Sequence, residues 1–167
     1  MIEDPIRARR IVTVIAAGLG LLACQDAEAP KFYLNASPSA PRGVYILSSE
    51  TRYERGDLVI AALPPGAASL AAWRGYLASG IPVLKRVSGL RGDSVCRDGL
   101  LIRVNGRAAA TAKVADARGR SLPVWNGCLR LEEDDVFLLG DHPDSFDGRY
   151  FGLLKRTQII GKAARIW

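Results

Sequence analysis

Two hydroxyls, a lysine and one dense polar loop are the parts of this 167-residue sequence whose types and spacing could do chemistry. Ser37 and Ser39 stand two residues apart in the segment 35–45, NASPSAPRGVY. Pro38 and Pro41 fix φ on both sides of Ser39 and keep the stretch out of a helix. The reading is a stiff, extended presentation, which suits a nucleophilic serine because its attack geometry must be held tightly. The same segment also reads as a proline-rich linker.

Lys85 lies in the segment 81–95, IPVLKRVSGLRGDSV. With 81–87 as a strand, Ile81, Val83, Lys85 and Val87 share one face and Arg86 points to the other. Lysine is rarely buried unpaired. Burial among β-branched side chains disfavours its charged form and lowers its pKa. A lysine so placed can take a proton from serine near neutral pH. The alternative is an edge-strand lysine whose amine snorkels to water.

The polar loop is 139–152, LGDHPDSFDGRYFG. Asp147 and Arg149 are spaced to form an ion pair that orders the loop, and Ser145 to orient a nearby amine. A surface loop rich in turn-forming residues is the plainer reading. His142 is the single histidine of the chain, so a multi-histidine metal site is excluded and a Ser/His/Asp triad would have to use it.

Positioning these groups requires a scaffold that reads mostly as strands. Short apolar or alternating runs occupy 44–47, 57–61, 81–87, 100–104, 136–139 and 158–160, punctuated by Gly, Pro, Asn and Asp. Asn105-Gly106 signals a hairpin between 101–104 and 107–110. One helix is expected over 67–79, ending at Gly80 and Pro82. The acidic run 132–135 reads as a solvated turn.

The composition, 49% hydrophobic and 24% charged, is that of a folded protein. Residues 1–30 hold three arginines against four carboxylates, a net −1, so the rest of the chain carries +7 of the total +6. Those basic residues are scattered singly, without a block or an aromatic stacking motif, and nucleic acid is not an expected partner. Arg7, Arg9 and Arg10 precede an apolar stretch over 11–24 of signal-core or short-anchor length. The arginines predict that everything after residue 24 crosses the membrane. Leu21-Leu22-Ala23-Cys24 has the form of a lipoprotein acylation site. Export would permit a disulfide between Cys96 and Cys128, two unpaired thiols being the alternative. The expected division is a cytoplasmic N-terminus and anchor over 1–30 and one domain over 31–167.

In order, SPSAPRGVY, RGDLV (55–59), LKRVSGLRGDSV and GDHPDSFDGRYFG resemble the bacterial type I signal peptidase family, most closely its TraF-type conjugative-transfer branch. The resemblance implies a mainly β, signal-peptidase-like or LexA-like fold with a short helical insertion and an N-terminal membrane-anchor helix. It implies Ser39 as nucleophile and Lys85 as general base. Ser37 would help the Ser39 N–H form the oxyanion hole, Ser145 would orient the lysine amine, and Asp147 with Arg149 would support the site. No cofactor is implied.

The function implied is a serine endopeptidase of the bacterial inner membrane with its catalytic domain in the periplasm. It would process exported precursors such as pilin beside other proteins of the conjugation apparatus. Capture of the acyl-enzyme by an amine would close a ring. A general type I signal peptidase and a non-catalytic secretion-channel lipoprotein are the alternatives. The sequence departs from the general pattern at Ala40, at Pro41 (one residue early), at Arg91 and at Gly148, where serine is frequent, and its third motif is one residue short.

Overall fold

Three strands begin in the same way. Asp57, Asp93 and Asp135 each accept, through Oδ2, the backbone N–H three residues back, from Glu54, Leu90 and Glu132 at 2.7, 2.8 and 3.0 Å. Each aspartate returns its own N–H to the carbonyl of that residue. The aspartate thus closes a turn and releases the chain into a strand. The two Arg-Gly-Asp triplets and the acidic run 132–135 are therefore strand starts. Arg55 crosses from the first such turn to the second, meeting Asp93 at 2.5 Å.

The computed structural model describes residues 31–48, 50 and 52–167. In chain order the strands are β1 (Lys31–Asn35), β2 (Gly43–Ser48), β3 (Leu58–Ala61), β4 (Val83–Gly89), β5 (Ser94–Asp98), β6 (Leu101–Val104), β7 (Arg107–Thr111), β8 (Gly127–Arg130), β9 (Asp135–Leu139), β10 (Leu154–Lys155) and β11 (Ile159–Arg165). Among the described residues two α-helices, α1 (Pro65–Arg74) and α2 (Gly148–Phe151), and a 3-10 turn over Arg156–Gln158 interrupt them. A seven-stranded sheet runs β1-β2-β11-β3-β4-β9-β10 and a four-stranded sheet runs β7-β6-β5-β8, with every pairing antiparallel. The mainly β expectation describes this domain. The expected anchor helix and Cys24 lie outside the described residues.

Strand β9 joins the two sheets because all five of its residues are buried. Val136 and Leu138 pack with Val59, Val87 and Leu154 of the large sheet. Phe137 and Leu139, pointing the other way, pack with Val95, Ile102 and Val104 of the small one. A third cluster, Ala40, Tyr45, Ile60, Leu84 and Ala163, covers the opposite face of the large sheet. The chain is thus built from layers of apolar side chains at strand periodicity.

Some boundaries differ from the sequence reading. The helix stops at Arg74, not near residue 79, because Gly75 turns left-handed (φ 71°) and its N–H and that of Tyr76 cap the last turn. Strand β4 starts at Val83 rather than Ile81. Ile81 is 48% exposed and takes no place beside Lys85, since Pro82 has no N–H to extend the ladder. The Asn105-Gly106 hairpin stands as expected between β6 and β7. Cys96 and Cys128 face each other across β5 and β8 and are joined by a disulfide.

Gly148 has a packing reason. A Cβ there would meet the Phe137 ring at 2.5 Å and Leu138 O at 2.7 Å. Gly148→Ser is therefore expected to cost about 1–3 kcal/mol by overpacking, read as a lower urea midpoint. An unchanged midpoint would contradict this account.

Candidate active site

The segment that holds Ser37 and Ser39 is a turn, not the stiff, extended presentation its prolines suggest. Pro38 and Ser39 occupy the turn that links β1 to β2. The reason is Asn35, the last residue of β1, which is 4% exposed. Its Nδ2 donates to the carbonyls of Ser37, Ala40 and Pro41 at 3.0, 3.0 and 3.1 Å. Its Oδ1 accepts the Ser37 N–H at 3.2 Å, an Asx turn. Tyr45 Oη closes the far end by donating to Pro41 O. Ser37 Oγ and Ser39 Oγ lie 2.8 Å apart. Asn35 opens the motif in the sequence, and an Asn two residues before a serine is the signal that could have found it.

Lys85 sits in the middle of β4, opposite Val59 of β3 and between Val83 and Val87 on one face. It is 4% exposed, and its Nζ donates to Ser145 Oγ at 2.5 Å. Burial pulls its pKa down to about 8. Asp147 and Asp141 oppose that shift, and Arg149 adds to it.

The loop after β9 is tied together by an ion pair at its base. Asp147, fully buried, accepts from Arg149 Nη2 at 2.6 Å, Arg149 Nε at 2.8 Å and the Gly140 N–H at 2.7 Å. The same guanidinium donates to the carbonyls of His142 and Pro143. Ser145 is buried inside this loop, its N–H on His142 O at 3.0 Å.

Asp141 ties the Ser39 turn to the strand that carries the lysine. Its N–H donates to Ser39 O at 2.8 Å, and its carboxylate takes both Nε and Nη2 of Arg86, the neighbour of Lys85. Arg86 holds the Asp141 carboxyl below the ordinary carboxylate range. Gly140 marks how close the pieces come. A Cβ on it would lie 2.1 Å from Ser145 Oγ and 3.1 Å from Ser39 O. Ser37, Ser39, Lys85, Ser145, Asp147 and Arg149 therefore gather around residues 140–141.

Asn35, Asp141, Arg86 and Arg97 join the site without a role that the sequence pattern predicts. Arg97, 3% exposed, donates to Arg149 O at 2.6 Å and so ties β5 to the ion pair. His142 is 41% exposed, and its Nδ1 accepts the Asp144 N–H at 3.2 Å. That occupies the nitrogen a triad would turn toward a carboxylate.

Burial shifts Lys85 toward the neutral amine, and the pH dependence of stability is expected to show it. The unfolded chain holds the Lys85 proton up to about pH 10.5, the folded chain only to about 8. Between those values the unfolded state binds more protons, so stability rises with pH. The gain is about 3 kcal/mol across the window. Urea unfolding of wild type is expected to show it, and Lys85→Met to lack it. Parallel pH curves for the two proteins would remove the buried amine from the account.

Comparison with known proteins agrees in extent. The profile of the family described as signal peptidase, peptidase S26, matches residues 7–167. A plasmid transfer protein TraF of Escherichia coli is 35% identical over 167 residues, covering 92% of this chain and 94% of that one. A conjugal transfer protein TraF of Agrobacterium fabrum is 30% identical over 145 residues, covering 81% and 82%. A signal peptidase I of Bacillus caldolyticus is 33% identical over 96 residues, covering 50% and 53%.

Proposed function

The chain belongs to the signal peptidase family, peptidase S26, and from that premise we propose that it is a serine endopeptidase of a conjugative transfer system that cleaves exported precursors such as pilin. The observation that carries this reading is the buried Lys85 amine held on Ser145, beside a turn in which Ser37 and Ser39 touch and whose carbonyl is tied to the same loop. Ser39 attacks the scissile carbonyl carbon and its proton passes to neutral Lys85 Nζ. Ser37 Oγ–H and the Ser39 N–H receive the oxyanion. Asp147 and Arg149 keep the loop, and with it Ser145 and the amine, in place.

The acyl-enzyme is open to either of two nucleophiles. Water releases a linear product, and the N-terminal amine of the same precursor would give a ring. Residues 1–30 serve as the anchor in the inner membrane, with the domain in the periplasm. The arginines before the apolar stretch and the Cys96–Cys128 disulfide support that placement. The precursor proteins, the inner membrane and other components of the transfer apparatus are the partners in this reading.

The test is co-expression of the full chain with a pilin precursor of the same transfer system, followed by intact mass of the product. A ring is lighter than the linear product by one water. No processing by the wild-type chain would refute the reading. Rescue of a strain depleted of its own signal peptidase would favour the general signal peptidase instead. An acylated Cys24 with an unreactive Ser39 would favour the lipoprotein. His142→Ala is expected to keep activity within about threefold of wild type, since lysine moves the proton. A loss as deep as that of Ser39→Ala would install the histidine instead.

A further inference from the structure

The hydrogen bonds of Asn35 fix more than the shape of the turn. Carbonyl oxygens only accept, so the nitrogen of the amide must face Ser37 O, Ala40 O and Pro41 O. The oxygen is then the atom that faces Ser37, where it accepts the N–H at 3.2 Å and the hydroxyl at 2.9 Å. A serine hydroxyl has one proton to give. With that proton on Asn35 Oδ1, Ser37 Oγ can only accept in its 2.8 Å contact with Ser39 Oγ. In that arrangement Ser39 is the donor.

We infer that Asn35 is a positioning residue for the Ser39 nucleophile: its carboxamide closes the turn and, by accepting the Ser37 hydrogen bond, keeps the Ser39 O–H directed at Ser37 Oγ until substrate arrives. The inference rests on the reading of Ser39 as nucleophile. It gives the free enzyme a defined proton order, Ser39 to Ser37 to Asn35. The attack then needs two changes. The Ser39 O–H bond breaks with its proton going to neutral Lys85 Nζ, while the Oγ–C bond forms and the carbonyl π pair moves onto oxygen. The Ser37 proton swings from Asn35 Oδ1 to that oxyanion. Asn35 Oδ1 keeps the Ser37 N–H, so the swing leaves no buried acceptor without a donor.

The wild-type protein tests the order directly. Neutron diffraction of deuterated crystals is expected to place the Ser37 deuteron toward Asn35 Oδ1 and the Ser39 deuteron toward Ser37 Oγ. The reverse order would overturn the inference. The second arm is acylation of Ser39 by p-nitrophenyl acetate, followed by peptide mass. Asn35→Asp keeps an acceptor for Ser37 but loses both donors to the turn. It is expected to slow acylation about a hundredfold, the scale of a misplaced reacting group, with the half-saturating ester concentration unchanged. Acylation by Asn35→Asp within twofold of wild type would also overturn the inference. A wild-type Ser39 that resists the ester, with the deuterons placed as stated, would count against the peptidase reading and leave the proton order standing.

Discussion

Ser39→Ala and Lys85→Ala are each expected to abolish precursor processing, a loss of roughly a thousandfold or more, in proteins that keep their folded spectrum and disulfide. In the proposed mechanism the two side chains act in one step, so either loss removes the whole step, and the double variant is expected to lose no more than the deeper single one. Lys85→Arg is expected to be as inactive as Lys85→Ala, because a guanidinium stays protonated and cannot take the serine proton. Ser37→Ala removes one of the two proposed oxyanion donors and is expected to cost on the order of a hundredfold. The pH–rate profile of wild type is expected to rise through about pH 8, where the buried Lys85 amine loses its proton. Initial rates on a fixed precursor measure all of these. Appreciable activity in Ser39→Ala or Lys85→Arg, or a profile that rises through the histidine range, would break the proposed pair.

The residues that would carry the chemistry were easier to read than the geometry that holds them. Strand alternation alone set Lys85 on an apolar face with Val83 and Val87, and those side chains do share a cluster. Alternation could not show that Pro82 starts the strand late and leaves Ile81 half in solvent. The prolines around Ser39 exclude a helix, yet they do not choose between an extended segment and a turn. That choice is made by Asn35, whose donors reach carbonyls up to six residues away. Strands β1 and β8 carry no strand signal in the sequence for a related reason. Each lies at a sheet edge, and all four residues of β8 are exposed, so neither has the apolar alternation of a buried strand. Asp141 and Arg86 meet 55 positions apart, and Arg97 reaches Arg149 O across 52. Such contacts depend on the pairing of β4 with β9 and the packing of two sheets, which no local pattern encodes.

Asp147→Asn is expected to separate two roles that the wild-type residue combines. The side chain keeps its size and one acceptor oxygen, but Arg149, 3% exposed, is left as a buried cation without its counter-charge. Breaking a buried pair in this way costs about 3–5 kcal/mol, a large share of the roughly 5–15 kcal/mol that holds an ordinary domain together. The urea midpoint should fall accordingly. The second effect is on the amine. Asp147 raises the Lys85 pKa against burial, while Arg149 lowers it. Neutralising the carboxylate removes the first influence and leaves the second, so the Lys85 pKa falls below about 8 and the rising limb of the pH–rate profile moves to lower pH. A merely structural aspartate would lower the midpoint and leave the limb where it is. The double variant Asp147→Asn/Arg149→Gln removes both charges at once. It is expected to regain much of the lost stability, since no unpaired buried charge remains. Its limb should return toward that of wild type, because the two opposing influences on Lys85 disappear together. If Asp147→Asn moves the limb to higher pH, or the double variant leaves it displaced, the field at Lys85 is not set by this ion pair.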